Sequence, residues 1–357
     1  MVRLIDVRFR TILPLALVGL VAATPVFASS GAGKPRIKTT KRDIESMWMD
    51  GPLVAYDLKS SDGCNQVFTW NVNTNGGKVV SGDGTCEADS TSTGGGVTQI
   101  GVAGGRLAWI TNLGGNTESD DDLYTSSLPK PREKHLLSAM RTGDIDQGDL
   151  DGGWIVGVFG DGDLLAVSTY ATKGGAISNA KLRVIGRSGV KTIARGERAI
   201  ATIAVGSGRI ATAAGDGRVR LWSRGGRLLH TYKVGQGDEA ALIQHRLLVF
   251  GDKGMRVYDT GPSGRLLSTW KAPSHAYLAD AEGDIAVYSI YCGTSDTCGR
   301  RVYAARVSTG KTVLLAKTPH DVVGLQIEPA GVVYAYNSAK GGTLVLRPMV
   351  RVEAALG

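Results

Sequence analysis

Four aspartates, Asp144, Asp146, Asp149 and Asp151, punctuate the segment GDIDQGDLDGG. Carboxylates spaced this way on a glycine-rich stretch supply several hard oxygens, the donors that Ca²⁺ prefers. The order departs from an EF-hand, because Gly148 takes the fifth position and no Glu closes the loop. The four aspartates are therefore a candidate calcium site set against a plain solvated loop, and calcium is the one cofactor the sequence suggests. Asp120, Asp121 and Asp122 form a second acidic run, which reads as a solubilising tip.

Four cysteines fall into two local pairs, Cys64 with Cys86 and Cys292 with Cys298. In an oxidising compartment such pairs are expected to form disulfides. A zinc knuckle needs C-x-x-C spacing or nearby His, and neither pair has it.

Nucleophilic and metal-assisted catalysis each need a constellation. The five histidines, His135, His230, His245, His275 and His320, include no HExxH and no close pair. There is no G-x-S-x-G elbow. Thr309-Gly310-Lys311-Thr312 lacks the first glycine of a phosphate-binding loop, so its glycine reads as a hairpin turn. His320-Asp321 is the nearest approach to a base with its orienting acid. No catalytic residue is assigned, and the expectation leans towards a non-enzymatic protein.

The elements that would hold these residues begin with an export signal. Arg3, Arg8 and Arg10 precede an apolar run from Ile12 to Ala23, and Val26-Phe27-Ala28 ends it. The run is shorter than the roughly 20 residues of a membrane span, so residues 1–28 read as a secretory signal peptide cut after Ala28, with no span left afterwards. Residues 29–42 are a basic, Ser/Gly/Lys-rich flexible arm, with a contact to an acidic cell wall or lipid headgroups as its functional reading. The chain carries +8; the signal accounts for +2 and the arm for +5, which leaves about +1 for residues 43–357. Without a bulk positive field, nucleic acid is excluded as a partner.

The body is a repeat. Arg209 to Tyr232 (RIATAAGDGRVRLWSRGGRLLHTY) and Arg246 to Trp270 (RLLVFGDKGMRVYDTGPSGRLLSTW) are copies of one unit of strand, Gly-Asp turn, strand, Gly turn and strand. Looser copies open at Leu53, Leu107, Leu164, Ile285 and Val332, and with Ile210 and Leu247 of the two clear copies the seven markers are 54, 57, 46, 37, 38 and 47 residues apart. One more apolar segment precedes each marker, such as Ile200 to Val205. Four antiparallel strands every 40 to 50 residues predict an all-β, seven-bladed β-propeller over residues 43–357, with six or eight blades as neighbouring solutions. The continuous apolar strands suit blades buried on both faces better than a sandwich. The last unit lacks its fourth strand, which residues 35–42 or Arg351 to Leu356 are expected to supply.

The unit GDGRVRLW resembles the WD-repeat pattern, in which a turn Asp precedes a strand ending in Trp-Asp. Trp222 is followed by Ser223, and only Tyr258-Asp259 keeps the acidic partner. The resemblance implies the WD-repeat-like and quinoprotein-like propeller superfamily, in a secreted protein of bacterial type. The tryptophans share no common phase, unlike the docking motif of a quinone-cofactor propeller, so no bound cofactor is implied. The expected function is a secreted or envelope-associated monomeric scaffold that binds a protein or a cell-envelope component. The competing expectation is an extracytoplasmic enzyme, a lyase, glycosidase or quinoprotein-type oxidoreductase, with its site in the central funnel.

Overall fold

The structure is a computed structural model that describes residues 33–59, 66–81, 94–115, 117–144, 149–196, 201–235, 239–251, 254–271, 276–290 and 300–357. The expected signal peptide, Asp146, Cys64, Cys86, Cys292 and Cys298 lie outside these residues.

Strand β1 (Arg36–Thr39) comes first and belongs to the last blade. Blade one is β2 (Met47–Asp50), β3 (Leu53–Leu58), β4 (Gln66–Asn71) and β5 (Gly77–Val79). Blade two is β6 (Gly94–Ala103), β7 (Arg106–Gly114), β8 (Glu118–Ser127) and β9 (Lys134–Asp144). Blade three is β10 (Asp149–Asp161), β11 (Leu164–Lys173), β12 (Ala176–Ile185) and β13 (Val190–Gly196). Blade four is β14 (Ala201–Gly206), β15 (Arg209–Ala213), β16 (Arg218–Ser223) and β17 (Leu228–Lys233). Blade five is β18 (Glu239–Ile243), β19 (Arg246–Gly251), β20 (Gly254–Asp259) and β21 (Leu266–Trp270). Blade six is β22 (Ala276–Glu282), β23 (Ile285–Ile290), β24 (Arg301–Arg306) and β25 (Thr312–Lys317). Blade seven is β26 (Val322–Glu328), β27 (Gly331–Ser338) and β28 (Gly341–Pro348), and β1 pairs with β28 as its fourth strand. The helix α1 (Met349–Leu356) follows. All seven sequence markers stand at the start of the second strand of a blade, and the apolar segments before them are the innermost strands.

Closure of the ring is seen in the first strands, which touch one another in turn from β2 through β6, β10, β14, β18, β22 and β26 back to β2. Each gap between blades holds its own apolar core. Val54 and Trp70 of blade one meet Val333 and Leu346 of blade seven, while Ala55 and Val67 on the other face meet Ile100 and Trp109 of blade two. A blade therefore buries both faces, which is why its strands read as continuous apolar runs.

The seam of the ring joins β1 to β28. Arg36 pairs with Leu346, and Ile44 exchanges two hydrogen bonds with the Asn337 side chain, at 2.8 and 2.7 Å. Residues 351–356 are helical instead of a closing strand: Val352 and Leu356 insert between blades six and seven.

Blades two and three depart from the repeat. Their strands β7 to β12 are 9 to 13 residues long, against 4 to 8 in most others, and β9 pairs with the start of β10 to join both blades into one eight-stranded sheet. About four extra residues per strand, at ~3.3 Å each, raise a wall roughly 13 Å beyond the neighbouring blades.

Candidate functional site

The ends of the innermost strands bring together residues far apart in sequence. Asp50 closes β2, Asp161 closes β10, Glu282 closes β22 and Glu328 closes β26, each beside the first hairpin turn of its blade. Asp280 stands two residues before Glu282. Carboxylate oxygens of Asp50, Asp161 and Glu328 lie within 4.8 Å of one another.

Three of these acids stitch the ring. Asp50 accepts from the backbone N–H of Gly104 in the first turn of blade two (2.7 Å) and of Gly162 in that of blade three (2.8 Å). Asp161 accepts from Ser207 N–H in the first turn of blade four (3.1 Å). At the position equivalent to Gly104 and Ser207, the first turn of blade seven opens on Pro329, which has no N–H to give Glu282. Asp280 accepts from Ile327 N–H of blade seven (2.9 Å) and from Ala281 N–H (2.8 Å).

Burial is the main reason all five carboxyls sit above the ordinary range. For Asp50 the two backbone N–H groups oppose it, and for Asp161 the Ser207 N–H does. Asp280 is pushed up to about 7 by burial, reinforced by Asp161 and Glu282 and opposed by its two N–H donors. Glu282 is raised by burial and by Asp161. Glu328 is pushed up to about 9 by burial and by the charges of Asp280, Asp50, Asp161 and Glu282. Like charges crowded in a poorly solvated site hold protons, and the same donor set suits a hard divalent cation. Asp50, Asp161 and Glu328 are the residues that would hold one, although both oxygens of Asp50 already take backbone hydrogens.

Above this end runs a cavity of about 470 Å³ lined by the innermost strands of all seven blades. Its lining includes Glu45, Asp161, Glu239, Asp280, Glu282 and Glu328 and, among the described residues, no Lys, Arg or His. Trp48 crosses it: the indole N–H donates to Gly160 O at 2.8 Å, and the ring meets Phe159 edge-on at 5.1 Å.

The residues singled out in the sequence lie elsewhere. Asp144 and Asp149 pair across the β9–β10 hairpin, and Asp151 accepts from Gly174 N–H at 2.6 Å in the β11–β12 turn. The run Asp120–Asp122 is not a tip but part of β8. Asp121 is buried against Arg141 at 2.6 Å, because Arg141 needs a counter-charge inside the wall. His320 and Asp321 are exposed ahead of β26 and outside the channel, with Asp321 3.7 Å from Arg300. On the outside of the wall, Asp122, His135 and Ser138 form a triangle of 2.9, 2.6 and 3.0 Å. Acid and hydroxyl both meet His135 Nε2, so the ring has no second nitrogen engaged to relay a proton between them, and the arrangement is not a nucleophilic triad.

The channel acids escaped the sequence reading because they are up to 278 residues apart, from Asp50 to Glu328. A signal was present: Asp50, Asp161 and Glu282 each stand three residues before a repeat marker, Leu53, Leu164 and Ile285.

No protein-family model matches the chain, and no curated protein matches it in sequence. Solved structures do resemble it. A chain of a mitotic checkpoint complex is 14% identical, with 95% of this chain and 98% of that chain covered, at a TM-score of 0.53. The β-propeller domain of the Trilobed protease from Pyrococcus furiosus, described as having an open velcro topology, is 14% identical, with 84% and 93% covered, at a TM-score of 0.54. Identity this low carries the fold alone, and with the seven four-stranded blades and their ring of inner strands it makes the chain a β-propeller.

Proposed function

We propose that the protein is a non-enzymatic binding scaffold, working outside the cytoplasm, whose partner docks on the wall raised by blades two and three. The observation that carries this reading is the wall itself, an extension that the ring does not need for closure. On its outer face Leu113, Asp120 and Met140 lie in one row across β7, β8 and β9. Leu113 and Met140 are 40% and 55% exposed, and exposed apolar groups on a rigid sheet beside an acid suit a protein partner with a basic, apolar patch. Burial and the neighbouring Glu118, Asp122 and Asp121 raise the Asp120 carboxyl, so a cation arriving there relieves repulsion.

A photo-crosslinking residue at Met140 or Leu113 is expected to trap one and the same partner from envelope extract, and one at Leu314 on blade six to trap none. Equal labelling at all three positions removes the proposal. The channel acids favour a second reading, an extracytoplasmic enzyme using Asp280 or Glu328 as a proton donor. Turnover of a glycan or polyuronate substrate that is lost in Asp280→Asn, with the wall variants unaffected, would establish it instead.

A further inference from the structure

In an antiparallel four-stranded blade the turn between strands one and two and the turn between strands three and four lie at the same end. The first turns converge at the acidic end of the channel, so the third turns rim that same face of the ring. There the fourth strand of every blade is entered on a cation, within one residue of its first position: Arg36, Lys78, Lys134, Lys191, Arg227, Arg265 and Lys311. Lys and Arg are 41 of 357 residues, so a cation within one residue of all seven strand starts does not follow from composition. All seven are exposed, and none is in an ion pair among the described residues.

A purely structural role explains part of the pattern. Arg36 donates to Asn73 O (2.7 Å), Lys78 to Pro129 O (2.5 Å) and Lys134 to Ser188 O (3.5 Å), each reaching the next blade. Carbonyls leave the positive charge in place, and the side chains of Lys191, Arg227, Arg265 and Lys311 have no such bond among the described residues. Asp163, Asp284 and Asp259 on this rim are occupied, by Arg224, by Arg246 and Ser308, and by Gly261 N–H and Ser263.

The second observation is independent of charge. Of the ten large apolar side chains exposed among the described residues, six follow these cations within three residues: Ile37, Val79, Leu228, Leu266, Leu267 and Leu314. Their exposure runs from 43% to 62%. A soluble polyanion offers charge and no hydrocarbon, and a thread-like one meets an arc of a ring at most. A lipid surface offers both along a plane, with headgroup charge for the cations and acyl boundary for the adjacent leucines.

We infer that this face docks reversibly on an anionic lipid surface, with the belt of cations supplying attraction and the neighbouring apolar side chains shallow insertion. No helix among the described residues is long and apolar enough to cross a membrane. The contact uses the face opposite the wall tips, and its test is separate from that of the wall.

The test is co-sedimentation of the folded chain with vesicles of phosphatidylcholine alone and of equal parts phosphatidylcholine and phosphatidylglycerol. Binding is expected only to the anionic vesicles and is expected to fall as salt rises. The triple variant Lys191→Gln, Arg227→Gln, Arg265→Gln should lower partitioning about 100-fold at unchanged melting temperature. Leu266→Ser with Leu267→Ser should remove the binding that survives high salt. No sedimentation of the native protein at low salt, equal sedimentation with neutral vesicles, or an unaltered triple variant overturns the inference. So does binding of inorganic polyphosphate that depends on the three cations while vesicles are ignored.

Discussion

Arg141 Nη1 meets Asp121 Oδ2 at 2.6 Å inside the wall, with both side chains more than nine-tenths buried. Asp121 also accepts from Asn112 Nδ2 (2.7 Å) and Ile155 N–H (3.1 Å), and the guanidinium lies over the Trp154 ring at 3.8 Å. The pair thus ties β7, β8, β9 and β10 together where blades two and three fuse. Removing one partner strands a buried charge, so Asp121→Asn should lose about 3 kcal/mol in urea unfolding. Asp121→Asn combined with Arg141→Met should lose much less than the sum of the single losses; additive losses would mean that the two do not act as a pair.

The channel carboxyls make stability depend on pH in an unusual direction. Glu328 is pushed up to about 9 when folded and titrates near 4.5 when unfolded, so the native state holds the proton through the interval between. Stability should therefore fall as pH rises from about 4.5 towards 9, the reverse of a salt-bridged carboxylate. Glu328→Gln keeps the shape without the charge. It should raise the melting temperature by a few degrees at pH 8.5, leave it unmoved at pH 4, and flatten the profile between. A variant that parallels the native curve would show that another group is responsible.

Asp50 reaches two turns on two blades, and both hydrogen bonds are charge-assisted. Asp50→Ala leaves Gly104 and Gly162 without those acceptors and should cost about 2 kcal/mol. Amide exchange at Gly104 and Gly162 should rise together while Ser207, held by Asp161, stays protected. Unchanged exchange at both glycines would argue against the stitch.

Strand β1 pairs along all four of its residues with β28. A chain lacking residues 33–40 leaves β28 as an unpaired edge, which invites pairing with another copy. Its melting temperature should drop by roughly 5 °C or more, and its elution should become concentration-dependent. A monomer of native stability would show that the seam does not need β1.

The repeat was legible because a blade buried on both faces writes itself as apolar runs divided by Gly turns. Seven markers from Leu53 to Val332 located every second strand. The wall was less visible: Asp120 to Asp122 look like a tip because three consecutive acids seldom enter a strand, and only the distant Arg141 makes Asp121 tolerable there. Summed charge says nothing of placement. A value near +1 for the body hides acids gathered at the axis and cations spread on the rim, because topology decides which charges share a face. Trp48 showed no sign of its channel position, since its acceptor, Gly160, lies 112 residues away.

The join between Arg36–Thr39 and Gly341–Pro348 has a consequence for biogenesis. A chain synthesised N-terminus first delivers one half of the zipper at the start and the other more than 300 residues later. Until then six blades stand as an unlatched arc, with apolar flanks and a free strand edge open to aggregation or to a chaperone. Arrival of the final sheet is thus the event that turns a vulnerable intermediate into a sealed circle.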